Sequence, residues 1–113
     1  MTFADVREVA LALPAVEETA SRGTHAFSVR KKQFVRFRED EQILVLRTDA
    51  YERAHLLSTA PSVFHVDDRI RQHPWVFARL AHADPAQLAE LVRDAWRRVA
   101  PRGMVEAFDR TRS

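Results

Sequence analysis

The sequence predicts an α+β domain: an antiparallel sheet of about five strands with helices packed on one face, in the order α-β-β-β-α-β-β-α-α. Three observations carry this. Segments of alternating apolar and polar residues follow one another between residues 26 and 47, joined by short polar turns as in hairpins. Segments with helical apolar spacing flank them and carry start and stop residues. Hairpin-linked strands make an antiparallel sheet, and helices then gather on one face of it while the other meets solvent.

Residues 3–13, FADVREVALAL, place Val6, Val9, Ala10 and Leu13 on one helical face, and Pro14 ends the run. EETASRGT is polar and reads as a loop. AFSVR then alternates with Phe27 and Val29 inward, Lys31 and Lys32 form a turn, and FVRFR sends Val35 and Phe37 inward and Phe34, Arg36 and Arg38 outward. ILVLR is apolar throughout, as for a strand inside a sheet. Thr48 or Asp49 caps a helix over 49–58, with Glu52 at capping-box spacing from Asp49. SVFHV and WVFARL read as strands around the polar surface loop DDRIRQHP. Asp84 and Pro85 open the clearest helix, whose stripe is Leu88, Leu91, Val92, Ala95 and Val99; Pro101 ends it, and a short helix around MVEAFDR closes the chain.

A chain of 113 residues with no repeats and no low-complexity run makes one domain, 1–113, able to bury roughly two-thirds of its unfolded surface. Lacking cysteine, it has no disulfides, thiolate metal sites, iron–sulfur clusters or cysteine nucleophiles. Asp5, Arg7 and Glu8 interrupt the N-terminal apolar residues, which excludes a signal peptide or membrane span there, so a cytoplasmic protein is expected. With only Gly23 and Gly103 there is no Gly-rich phosphate loop, and no cofactor is expected.

Net charge is only +2, but 16 of the 18 basic residues are arginine. Arg22, Arg30, Lys31, Lys32, Arg36 and Arg38 form a run of +6 without an acid between them. A phosphate backbone could lie along this hairpin, with Phe34 stacking an exposed base. The competing reading is a solvated sheet face, its tip neutralised by Glu39, Asp40 and Glu41. Arg93, Arg97, Arg98 and Arg102 form a second basic group that intrahelical pairs explain, Glu90 with Arg93 and Asp94 with Arg98. Asp67, Asp68, Arg69 and Arg71 read as a solvated loop. Five histidines raise a metal site at His65, Asp67, Asp68 and His73, but no fixed ligand spacing supports it, and no metal is expected. His25 and His55 have no nucleophile and orienting acid assignable by spacing. Trp75 and Trp96 read as packing anchors.

The order of LALPAVEE, HAFSVRKKQFVRFRED, LVLRTD before a helix, HPWVFARLA and DAWRRVAP resembles the MmcQ/YjbR family over nearly the whole chain. The resemblance implies a frataxin-type (CyaY-like) α+β sandwich, described as a double-wing fold, in a bacterial protein of a family generally labelled DNA-binding, without established catalytic residues. Family members commonly carry glycine in the first hairpin turn, where this chain has Arg30-Lys31-Lys32-Gln33, and usually in the second, where it has Glu39-Asp40-Glu41-Gln42. Together these readings give a non-enzymatic, monomeric DNA-binding module that grips the phosphate backbone through Arg30, Lys31, Lys32, Phe34, Arg36 and Arg38. The alternative is a small-molecule or protein-interaction domain with its site between the sheet and the 49–58 helix.

Overall fold

The computed structural model describes residues 1–21, 24–38 and 42–112. Arg22 and the acidic residues Glu39, Asp40 and Glu41, where the sequence predicts a turn, lie outside the described residues. The chain forms α1 (Phe3–Leu11), β1 (Glu17–Ser21), β2 (Thr24–Val29), β3 (Lys32–Arg38), β4 (Ile43–Arg47), α2 (Ala50–Thr59), β5 (Phe64–His65), β6 (Trp75–Arg79), a 3₁₀ turn (Leu80–His82), α3 (Pro85–Arg97) and α4 (Arg102–Arg112). The α+β class holds, and the expected element order holds with one strand added ahead of the first expected one. The sheet has six strands, in the order β1-β2-β3-β4-β6-β5, with every neighbouring pair antiparallel.

The additional strand is β1, whose EETAS sequence carries no apolar alternation. Its hydrogen bonds run to β2 alone, from Glu17↔Ser28 to Ser21↔Thr24. An edge strand needs no second neighbour and benefits from charge against intermolecular pairing, so its composition is that of a loop.

The helices start where their caps are. Thr2 Oγ1 accepts from the Asp5 amide at 3.3 Å while the Asp5 carboxylate accepts from the Thr2 amide at 2.9 Å, a reciprocal capping box. Asp49 Oδ1 accepts from the Glu52 amide at 2.7 Å, and Asp84 Oδ2 from the Gln87 amide at 3.0 Å ahead of Pro85. Beneath α1 and α3 the inner sheet face buries Phe27, Val29, Val35, Phe37, Leu44 and Leu46. Trp96 is wholly buried among them, its Nε1–H donating to the Pro14 carbonyl at 3.0 Å and its ring meeting the edge of Phe108 at 5.0 Å.

Two expectations about the sheet need correction. Phe34, read as outward with Arg36 and Arg38, has no exposed surface and belongs to the core. Between Phe27↔Val35 and Ser28↔Gln33 the register slips by one residue. A one-residue bulge lets two successive side chains point the same way, so Phe34 and Val35 both turn inward and alternation resumes at Arg36. The outer face is also less open than expected. Residues 66–74 fold back across it and deliver Ile70, 6% exposed, against Val45 and Phe77. β4 is therefore apolar on both faces because both are covered.

The β2–β3 connection is a two-residue turn between the paired Val29 and Lys32, with Arg30 at φ 50° and Lys31 at φ 69°. Both central residues are left-handed, the type I′ geometry that matches strand twist and that glycine or asparagine normally fills. Lys31→Gly is expected to raise stability by about 0.5–1 kcal/mol in urea unfolding. Phe34→Ala is expected to cost about 3–5 kcal/mol, as for a buried ring and not for an exposed stacking platform, in the same assay.

Candidate nucleic-acid interface

Register decides which basic side chains share a surface. Arg36 lies opposite Val45 and Arg38 opposite Ile43, while Val45 pairs with Phe77 and Arg47 with Trp75. Directly paired residues point to the same side, so Arg36, Arg38, Arg47, Trp75, Phe77 and Arg79 all stand on the outer face. His65, paired with Phe77, joins them from β5. Arg30 and Lys31 form the hairpin tip beyond the sheet, exposed. Lys32 pairs with the inward-facing Val29, which puts it on the helix side of the same end, exposed there. The expected site is thus divided: Arg36 and Arg38 on the face, Arg30 and Lys31 at the tip, Lys32 behind it, and Phe34 removed to the core.

On the outer face lies a cleft of about 670 Å³ lined by Arg36, Arg38, Arg69, His73 and Trp75, with Ile70 and Phe77 below. The Arg47 guanidinium carbon sits 4.8 Å from the Trp75 ring centroid and that of Arg36 5.8 Å. Arg38 covers Phe77 at 4.9 Å and pairs with Asp67 at 3.4 Å. Asp67 also holds Arg69, through Nε at 3.2 Å and Nη2 at 2.9 Å. Among the described residues, three arginines (Arg36, Arg38 and Arg69) meet one carboxylate, Asp67, at the cleft. Trp75, read from sequence as a packing anchor, is a half-buried wall of this cleft. Arg69, in the cleft lining, and Arg47, which contacts Trp75 on the same face, are not marked by sequence spacing, since the first arrives through loop folding and the second through β4–β6 register.

The loop wall is held by Arg53 of α2, which donates from Nη1 to the carbonyls of Ile70 (3.3 Å), His73 (2.7 Å) and Trp75 (3.2 Å), and from Nη2 to that of Arg71 (2.7 Å). Thr48 N–H adds a bond to the Pro74 carbonyl at 2.8 Å. A smaller depression beside α2, about 340 Å³, is lined by Ala50, Arg53, Arg71, Gln72, His73 and Pro74; of its two guanidinium groups, that of Arg53 is committed to the loop carbonyls and that of Arg71 pairs with Asp68 at 3.4 Å.

Arg30, Lys31, Lys32 and Arg36 have no carboxylate partner among the described residues. The second basic group behaves otherwise. Arg93 pairs with Glu90 at 3.0 Å as expected, but Asp94 takes Arg97 at 2.7 Å, and Arg98 crosses to Asp49 at 3.1 Å, joining α3 to α2. Among the described residues no three histidine or acidic side chains gather to hold a metal ion. No described helix is long and apolar enough to cross a membrane.

His65 Nδ1 is buried without a hydrogen-bond partner among the described residues, and its ring lies 5.1 Å from that of Phe77. Burial pushes the imidazole below its ordinary 6.5, the Arg79 and Arg38 charges push the same way, and Asp67 opposes them.

The fold and this face define a small α+β domain with an arginine–aromatic cleft on an antiparallel sheet. The chain belongs to the YjbR family, whose model matches residues 11–98. Its structure is similar to the crystal structure of Deinococcus radiodurans protein DR2400, of domain family DUF419, with a TM-score of 0.79 and 23% identity over 90% of this chain and 80% of that one. No curated protein matches the chain.

Arg53→Met, which keeps the stem and removes the donors, is expected to lower stability by about 2–4 kcal/mol and to strip hydrogen-exchange protection from the Ile70 and His73 amides first. His65, with its pKa depressed on folding, contributes stability above its unfolded value that is lost as pH falls through the folded one. Between about pH 7.5 and about pH 5.5 the urea midpoint of the natural protein should therefore fall more than that of His65→Gln.

Proposed function

We propose that this domain is a cytoplasmic, non-enzymatic DNA-binding module whose grip is chiefly electrostatic, with the phosphate backbone crossing the hairpin tip and the outer sheet face. The observation that carries the reading is the distribution of unpaired charge. Arg30, Lys31 and Arg36 are exposed and without carboxylate partners among the described residues, whereas the arginines of α3 are engaged with acids. A cation without a carboxylate partner gives up water, and for Arg36 a loose ring contact, on meeting phosphate, while a paired one must first lose its carboxylate. Arg38 and Arg69, oriented by Asp67, extend the positive surface into the cleft.

A second reading has its own support, because the cleft volume of about 670 Å³ falls within the ordinary range of small-molecule sites. A small aromatic anion would meet the same arginines and Trp75. Competition separates the two, since a dedicated small-ligand site gives no strong dependence of DNA affinity on salt.

The test is a fluorescence-anisotropy titration of duplex DNA against salt. Each phosphate neutralised steepens log K against log salt by about 0.9, so engagement of Lys31 and Arg36 predicts that the double substitution Lys31→Glu, Arg36→Glu reduces the slope by about 2 and weakens binding at least ~10-fold at low salt. An unchanged duplex affinity in that variant would refute the reading.

A further inference from the structure

We infer that the outer-face cleft is a pocket for one unpaired nucleotide, its phosphate held by Arg36 and Arg69 and its base laid against Trp75, so that single-stranded DNA is preferred over duplex. This rests on the nucleic-acid reading above and adds to it the strand form recognised. The cleft joins two chemistries that a duplex backbone does not need together. A phosphate needs only charge, and the exposed hairpin tip supplies it. An indole in a recess needs a free π-face, and in a duplex the faces are stacked within the helix, reached only by extruding the base at a cost of a few kcal/mol. A single strand presents those faces without that cost, and stacking on an aromatic side chain accepts any base.

The side chains are arranged for this exchange. Arg47 holds close to Trp75, at 4.8 Å, and is fixed further by donating from Nε to the Gln33 carbonyl at 3.0 Å. Arg36, at 5.8 Å, makes only the looser contact and has no carboxylate partner among the described residues. A cation–π contact at that separation is weak, so the guanidinium leaves the ring for a phosphate at small cost and uncovers the indole. Arg69 spends Nε and Nη2 on Asp67, which leaves Nη1 to donate, and its side chain is 70% exposed. The wall opposite is the segment pinned by Arg53, so the recess exists before anything binds.

Anisotropy of labelled DNA gives the affinities of every variant, and quenching of intrinsic fluorescence reports contact in the natural protein, because Trp96 is wholly buried and Trp75 is the tryptophan at the cleft. The chain is titrated with a twelve-residue oligothymidylate and with a duplex of equal length at the same salt, as natural protein and as Trp75→Ala, Trp75→Phe and Arg30→Ala, each confirmed folded by circular dichroism. The expected result is quenching by the single strand and an affinity for it at least ~10-fold above that for duplex. Trp75→Ala should abolish that excess with duplex affinity unchanged, Trp75→Phe should keep most of it, and Arg30→Ala should weaken both forms alike. Equal affinity for the two forms in the natural protein, or an equal loss for both in Trp75→Ala, would overturn the pocket while leaving backbone binding standing. Absence of binding to either form would overturn the nucleic-acid reading as well.

Discussion

A single guanidinium organises the outer face of this domain. Arg53 donates to four carbonyls within six residues of loop, Ile70, Arg71, His73 and Trp75. Such a fan of bonds needs a planar, permanently charged group with five donors, and lysine, with a compact ammonium, could not spread across it. Once the loop is pinned, Ile70 seals Val45 and Phe77, and the centre of the sheet becomes apolar on both faces. The same loop carries Asp67, Arg69 and His73 over the sheet, which turns a flat surface into a cleft. Covering of the second face and creation of the recess are therefore one event, and both trace to a helix side chain that holds the backbone of the covering segment.

Elements that bury their own periodic pattern were legible in the sequence. The stripes of α1 and α3, their Asp and Pro signals, and the inward Phe27 and Val29 of β2 are local properties, and the structure follows them, although Ser28 between those two is buried as well. β1 was not legible, because what makes it a strand is the free edge of β2 and not its own EETAS composition. Phe34 misled for a different reason. Strict alternation counted back from Val35 and Phe37 puts it outward, yet one inserted residue resets the phase, and a buried phenylalanine gains more than an exposed one from doing so. Counting parity through a strand assumes no bulge, and the first residues after a tight hairpin turn are where that assumption failed.

The candidate site was legible only where it lies along one strand. Arg36 and Arg38 are two residues apart and share a face by alternation alone. Their companions come from elsewhere: Trp75 and Arg47 meet because β4 pairs with β6, a non-sequential neighbour, and Arg69 arrives because the loop turns back. No spacing encodes these meetings. Lys32 illustrates the converse, since sequence groups it with Lys31 whereas register sets it on the helix side, opposite the face that carries Arg36.

Arginine abundance in this chain therefore has two physical meanings that composition cannot separate. Along α3 and α4 the guanidinium groups are mortar: Arg97 joins Asp94 to Asp109, Arg98 joins α3 to the start of α2, and Arg102 meets Glu106. Their fields are cancelled within a few ångströms, well inside a Debye length of about 8 Å at physiological salt, and they offer little to a distant anion. Among the described residues of the outer face one carboxylate, Asp67, orients Arg38 and Arg69, and Arg36 stands beside them without a carboxylate partner. Side chains already fixed in place lose less entropy on meeting a ligand than free ones, and a mobile neighbour can still adjust to it. A net charge of +2 thus understates what an approaching polyanion would meet on this side of the sheet, because the cancelling acids of α3 and α4 are spent on other arginines.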